Sequence, residues 1–176
     1  HQPFKVDGND IKWLDNFEYL GSFISNTDGG TERDIVSRIS KARHAFARLR
    51  RVWSMHHISL KTKLNIFDSC VKSVLLYGSE TWYVKERMAS KLNSFFNGCL
   101  RKILGIWWLR KISNETLHAK TNQKDINAQI KEKKYRWIGH TLRKDKGEIC
   151  YKALLWNPQG NRKVGVPVHG LIIFES

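Results

Sequence analysis

The 176-residue chain carries thirty-one Lys and Arg against sixteen Asp and Glu, for a net charge of +15 and a pI near 9.9. Its hydrophobic fraction of 41%, with seven Trp, eight Phe and five Tyr, excludes a disordered basic tail. A chain this long can bury roughly 70% of its unfolded surface in a core. No run approaches the ~20 apolar residues of a membrane span. Cys70, Cys99 and Cys150 lie far apart with no CxxC pair, which excludes a disulfide framework and a zinc knuckle.

The charge is unevenly spread. Residues 1–30 are net −3, residues 31–63 net +7, residues 64–100 net +1, residues 101–163 net +11 and the last thirteen net −1. A folded chain tolerates such repulsion when a polyanion is its partner. Nucleic acid leads, and an anionic membrane surface is second.

In chain order, Phe4-Lys5-Val6 and Ile11 to Leu14 flank Asp7-Gly8-Asn9-Asp10, which predicts a hairpin turning at Asp-Gly. Phe17 to Ile24 reads as a further strand, closed by the breaker cluster Asn26-Thr27-Asp28-Gly29-Gly30. From Thr31 the period becomes helical. Ile35, Ile39, Ala42, Phe46, Leu49 and Trp53 form one stripe, with Thr31 as the expected N-cap and Glu32 and Asp34 complementing the dipole. Arg33, Arg38, Lys41, Arg48 and Arg51 are read as the opposite face, with Arg43 and Arg50 flanking the stripe.

Ser59 is the expected cap of a second helix, striped by Leu60, Leu64, Phe67, Val71 and Val74 and stopping near Gly78. A third runs from about Lys85 to Leu104, with Gly105 placed as its stop. Asn114 and Asp125 are the next expected caps. The helix after Asp125 sets Ile126, Ile130, Trp137, Ile138 and Leu142 to one side. Cys70 and Cys99 are expected to be buried thiols. After Asn157 nothing reads as helix. The expected fold is therefore mainly α: short N-terminal β strands followed by a basic multi-helix bundle.

Several segments resemble a known family in the family's own order. They are Phe17-Glu18-Tyr19-Leu20-Gly21-Ser22-Phe23-Ile24, Ile39 to Phe46, Ser59 to Lys63, Cys70 to Trp82 with its Leu75-Leu76-Tyr77-Gly78-Ser79-Glu80-Thr81-Trp82 core, Cys99 to Ile106, and Arg136 to Arg143. They are similar to the end of the palm, the thumb and the C-terminal extension of reverse transcriptases of non-LTR retrotransposons. The resemblance covers about residues 12–158. It implies terminal palm-like strands over 1–30, a thumb-like bundle over 31–110, a basic helical extension over 111–157 and an irregular, diverged tail over 158–176, where Gly165-Val166-Pro167 replaces the family's Gly-Arg-Pro.

No Asp-Asp pair occurs in the sequence. The family's polymerase carboxylates, which hold Mg2+ at the primer hydroxyl, and its endonuclease would lie upstream of His1. The expectation is a non-enzymatic fragment of an RNA-directed DNA polymerase with no cofactor of its own. Its partners would be RNA, DNA or RNA–DNA hybrid and the missing palm and fingers, with no membrane. The expected setting is intracellular, the nucleus included. A stand-alone helical nucleic-acid-binding module and a degenerate transposon remnant are the alternatives.

The expected phosphate-binding residues are Arg33, Arg38, Lys41, Arg43, Arg48, Arg50 and Arg51, seven basic side chains within residues 33–51, where the only acid lies in the first helical turn. A second basic zone holds Lys133, Lys134, Arg136 and Arg143 beside Tyr135, Trp137 and His140. Trp137 is expected in the core, Tyr135 is open between core and base stacking. By resemblance, Tyr19, Leu20 and Gly21 would be a primer grip. Leu75 to Trp82 offers no nucleophile with a base and is expected to be scaffold, and His56-His57 lacks the further ligands zinc needs.

Overall fold

A computed structural model describes residues 5–6, 9–10, 14, 16–19, 21–25, 30–106 and 111–155. The protein is mainly helical. Strand β1 (Lys5–Val6) pairs antiparallel with β2 (Asn9–Asp10), and β3 (Asn16–Tyr19) with β4 (Ser22–Ser25). The expected Asp7-Gly8 turn, Phe4, Ile11 to Trp13, Leu20, the 26–29 breaker cluster and the tail from Trp156 lie outside the described residues.

The continuous strand expected over Phe17–Ile24 is instead a hairpin. Tyr19 stands opposite Ser22, and Gly21 in the link between them has φ +77°, a left-handed value that only glycine reaches without strain.

Helix α1 (Thr31–Arg48) begins at Thr31, the expected cap, so the cap lies one residue earlier. Gly30, also left-handed at φ +76°, is the N-cap, so no side chain serves there. The stripe then does as its spacing predicts: Ile35, Ala42, Phe46 and Trp53 are buried, with Ile39 and Leu49 packed against them. The helix breaks at Leu49, however, and restarts as α2 (Arg50–Ser54). The break is stabilised by side chains. The Trp53 indole N–H donates to the Phe46 carbonyl at 2.9 Å, and the buried Lys63 ammonium donates to the Trp53 carbonyl at 2.9 Å. Carbonyls at a helix end lack their intrahelical partners; the Phe46 carbonyl also accepts from the Leu49 amide at 3.2 Å.

Ser59 caps α3 (Leu60–Phe67) as expected, accepting from the Thr62 N–H at 3.2 Å. The rod continues through a π-helical segment (Asp68–Lys72) into α4 (Ser73–Leu75). The π segment has a packing reason. Lys63, Phe67, Val71 and Leu75 are all buried at spacings of four. In a pure α-helix each such step overshoots by about 40°, and the wider π turn rotates less per residue and cancels the drift. The same segment leaves Cys70 exposed, against expectation.

Gly78, left-handed at φ +72°, turns the chain into a 3₁₀ turn (Ser79–Thr81). Helix α5 (Glu86–Ile103) is the centre of the bundle, burying Met88, Leu92, Phe96, Cys99, Leu100 and Ile103. It stops as its glycine predicts: Gly105 is left-handed, and the Ile106 and Gly105 amides return to the Arg101 and Lys102 carbonyls at 2.9 and 3.1 Å. Ser113, one residue before the expected Asn114, caps α6 (Asn114–Thr121). Asp125 caps α7 (Ile126–Leu142) by accepting from the Asn127 and Ala128 amides. A last helix, α8 (Ile149–Leu155), has no buried residue and left no stripe to read.

The core is aromatic at its middle. Phe46 stacks on Trp53 with ring centroids 4.9 Å apart and meets Phe67 edge-on at 6.2 Å, and Phe67 meets Phe96 at 5.7 Å. Helix α1 packs against α4, the π segment, α5 and β4, and α7 lies across α5 and the 3₁₀ turn. Asp68, Lys72 and Gln123 close the far side. Lys72 donates to Asp68 at 2.7 Å and to the Gln123 amide oxygen at 2.9 Å, and Gln123 donates back to Asp68.

Burial pushes the Cys99 thiol from 9.0 up to about 12, Lys102 and Arg43 offsetting only part of that. A thiolate is the nucleophile, so iodoacetamide at pH 8 is expected to alkylate exposed Cys70 and to spare Cys99 until the protein unfolds. Mass spectrometry of timed digests reads this directly. Equal rates at the two sites would mean that α5 is not packed as described. The sign for stability follows: the folded pKa is raised, so the contribution is full below pH 9 and declines as pH rises toward 12.

Candidate nucleic-acid interface

Residues 35–67 contain eight Lys and Arg and no Asp or Glu. They fold into most of α1 and all of α2 and α3, so past the first turn of α1 the only charges these helices carry are positive. Lys41, Arg43, Arg48, Arg50, Arg51 and Lys61 are exposed, as are His44, His56 and His57. Helical arithmetic sorts them. On α1, Lys41, His44 and Arg48 lie within about 60° of one another, opposite the buried stripe, with Arg43 on one flank, while Arg50 and Arg51 open α2 beyond the break.

None of these cations makes a salt bridge to a described carboxylate. Six described acids pair elsewhere, with Arg38, Lys72, Lys85, Lys124, Lys133 and Lys144. Arg33 is exposed one turn into α1.

Arg38 does not belong to the exposed face. It lies only about 60° from the centre of the apolar stripe, on the side where β4 and α4 pack, and is 7% exposed. Its guanidinium donates to the Gly21 carbonyl at 2.8 Å, faces Asp34 at 3.7 Å, and stands 4.3 Å over the Tyr77 ring. Asp34, 3% exposed, in turn accepts from the Trp82 indole at 2.7 Å. The hairpin, α1 and the Leu75–Trp82 segment thus meet at one buried polar junction. That segment is scaffold: Tyr77 covers Arg38, Gly78 makes the turn, Ser79 is buried, Glu80 faces Lys133 at 3.6 Å, and Trp82 holds Asp34.

Of the three residues suggested as a primer grip, Leu20 lies outside the described residues and Tyr19 ends β3. The close approach that Gly21 permits is to Arg38, whose Nη2 lies 3.3 Å from where a Cβ would stand.

The second basic zone divides. Lys133 and Lys134 are half-buried and point inward, donating to the Leu76 carbonyl at 2.7 Å and the Trp82 carbonyl at 3.3 Å. Desolvation holds the Lys134 ammonium below its ordinary pKa. These two lysines fasten α7 to the scaffold turn, while Arg136 and Arg143 are exposed. Trp137 is not core either, being 39% exposed. The cluster that receives Ile126 and Ile130 at the start of α7 does not extend to Trp137, two turns further along the helix. Among the described residues no three His, Cys, Asp or Glu side chains converge as metal ligands, and no helix is long and apolar enough to cross a membrane.

Sequence reading missed Asp34 as a buried acceptor. Its signal was present: Asp34 and Arg38 are spaced i,i+4 along one edge of the apolar stripe.

A family model described as a domain of unknown function (DUF6451) matches residues 45–77. The match runs from the last turn of α1 to the Tyr77 that covers Arg38. A Caenorhabditis elegans protein described as a putative uncharacterized transposon-derived protein is 26% identical over 102 residues, covering 56% of this chain and 37% of that protein. The chain thus spans little more than a third of the length of that relative. No solved structure matches.

Proposed function

We infer that this chain is the thumb-side portion of a retrotransposon RNA-directed DNA polymerase, holding template–primer duplex by its phosphates and catalysing nothing by itself. The observation that carries the reading is the exterior of α1 past its first turn, of α2 and of α3, which carries no carboxylate of its own, with Lys41, Arg48 and Arg51 standing exposed and without a salt bridge to a described carboxylate. Rigid cations without acceptors hold a backbone and carry no base information directly. The similarity to a transposon-derived protein supports the origin, and the Leu75–Trp82 turn gives the motif a structural task that needs no chemistry. The polymerase carboxylates and their Mg2+ belong, on this reading, to the upstream palm.

The test is fluorescence anisotropy of the purified chain with RNA–DNA hybrids of two unrelated sequences across a KCl series. About five phosphate contacts give a log–log salt slope of about −4, and the two sequences should bind alike. A flat slope would overturn the reading, and a marked preference for one sequence would favour a stand-alone sequence-reading module.

A further inference from the structure

The outer face of α7 past the bundle core is left uncovered by the described residues. Arg136, His140 and Arg143 follow one another at spacings of four and three and are all exposed. Trp137 stands beside them, three residues from His140, with 39% of its surface open. Residues at these spacings are neighbours on a helix surface. Of the carboxylates close to this stretch in sequence, Glu132 pairs with Lys124 and Glu148 with Lys144 at 2.9 Å, while Asp145 accepts from the Gly147 amide at 2.7 Å. The Arg143 guanidinium is folded back over Gly139, 3.4 Å from where a Cβ would stand.

We propose that Trp137, Arg136, His140 and Arg143 form a binding site for unpaired nucleic acid, with a base stacked on the Trp137 indole and the flanking phosphates on the two arginines. Charge complementarity selects the occupant. A protein partner would have to supply both an aromatic or apolar group for the indole and carboxylates for Arg136 and Arg143, whereas a single strand supplies a π-face and phosphates at adjacent positions. Every base has such a face, so stacking of this kind is sequence-tolerant. A duplex hides its bases and cannot use the indole, which separates this site from the cations of α1 and α2. The site stands on α7 alone and does not depend on the duplex-holding reading of α1.

Anisotropy of the full chain with labelled oligo(dT), and separately with an RNA–DNA hybrid, tests both surfaces at once. Trp137→Ala is expected to weaken oligo(dT) binding about tenfold, Trp137→Phe to retain most of it, and both to leave hybrid affinity and the circular dichroism spectrum unchanged. Arg48→Glu with Arg51→Glu should do the reverse, losing hybrid and sparing the single strand. Failure of wild type to bind oligo(dT), or equal loss of both ligands in Trp137→Ala, overturns the proposal. So does an unchanged oligo(dT) affinity in Trp137→Ala, including the case where that variant only abolishes self-association. Loss of hybrid binding in wild type with oligo(dT) binding intact would sink the α1 reading and leave this one standing.

Discussion

Replacing Lys41, Arg48 and Arg51 together by glutamate is expected to lower affinity for RNA–DNA hybrid by about a hundredfold or more at moderate salt. The salt slope should shrink by about three units, one for each phosphate contact removed. Several terms act in the same direction. Three counterion-releasing contacts disappear, three repulsive charges take their place, and the steering field of a +15 chain is weakened. Stability should hardly change, because all three side chains are exposed and none is in a salt bridge with a described carboxylate. Relief of repulsion with neighbouring Arg43 and Arg50 works, if anything, toward a more stable fold. The informative contrast is Arg38, which the sequence alone would group with these residues. Its guanidinium is held by Gly21, Asp34 and Tyr77, so Arg38→Ala should act on stability first and on binding only through it. A triple variant that unfolds, or one that binds hybrid with the wild-type slope, would show that this face has been misassigned.

The largest effect on stability is expected at the other end of that contact. Asp34→Ala removes the carboxylate from a site 3% exposed, leaving the Arg38 guanidinium with one carbonyl and a ring face and leaving the Trp82 indole N–H without its acceptor. Breaking a buried ion pair from one side costs about 3–5 kcal/mol, mostly the desolvation of the charge left behind. Urea melts should place Asp34→Ala in that range. Asp34→Asn keeps an acceptor for the indole and should lose less. The double variant Asp34→Asn with Arg38→Met removes both charges and should recover part of the loss, because the penalty lies in the unpaired ion and not in the absence of a bond. If the double variant were as unstable as Asp34→Ala, the pair itself, and not its desolvation, would be the source of stability.

How far the sequence discloses this molecule depends on which forces act locally. Ser59, Asp125 and Gly105 were readable as helix ends because each acts within one turn of its own backbone. The stripe from Ile35 to Trp53 was readable because one period spans it, yet the break at Leu49 was not. That break is stabilised by Trp53 and by Lys63, the latter fourteen residues beyond the break and recruited from α3. The π segment escaped for a similar reason, since it corrects a drift that matters only against a fixed partner surface. Arg38 and Trp137 are paired errors of reach. A basic residue at the edge of a stripe was assigned to solvent although the hairpin and Tyr77 cover it. An aromatic on a stripe was assigned to the core although it stands 39% exposed while the neighbouring Ile138 is the residue buried there. The cationic exterior of α1 past its first turn was legible because the lack of carboxylates over residues 35–67 is a property of the sequence itself.

The Gly21–Arg38–Asp34–Trp82 junction also sets an order of events during synthesis. The hairpin leaves the ribosome ahead of its dock, since the ring that holds Asp34 and the one that covers Arg38 lie at Trp82 and Tyr77. At roughly 5–20 residues per second, the sixty-odd residues between Gly21 and Trp82 take on the order of 3–12 s to emerge. For that interval β3 and β4 have no completed dock, and two-stranded ribbons are marginal alone. Their edges are open to pairing with another chain. Nascent copies crowded on one message are therefore most exposed to each other through this hairpin, and that exposure ends when Trp82 emerges.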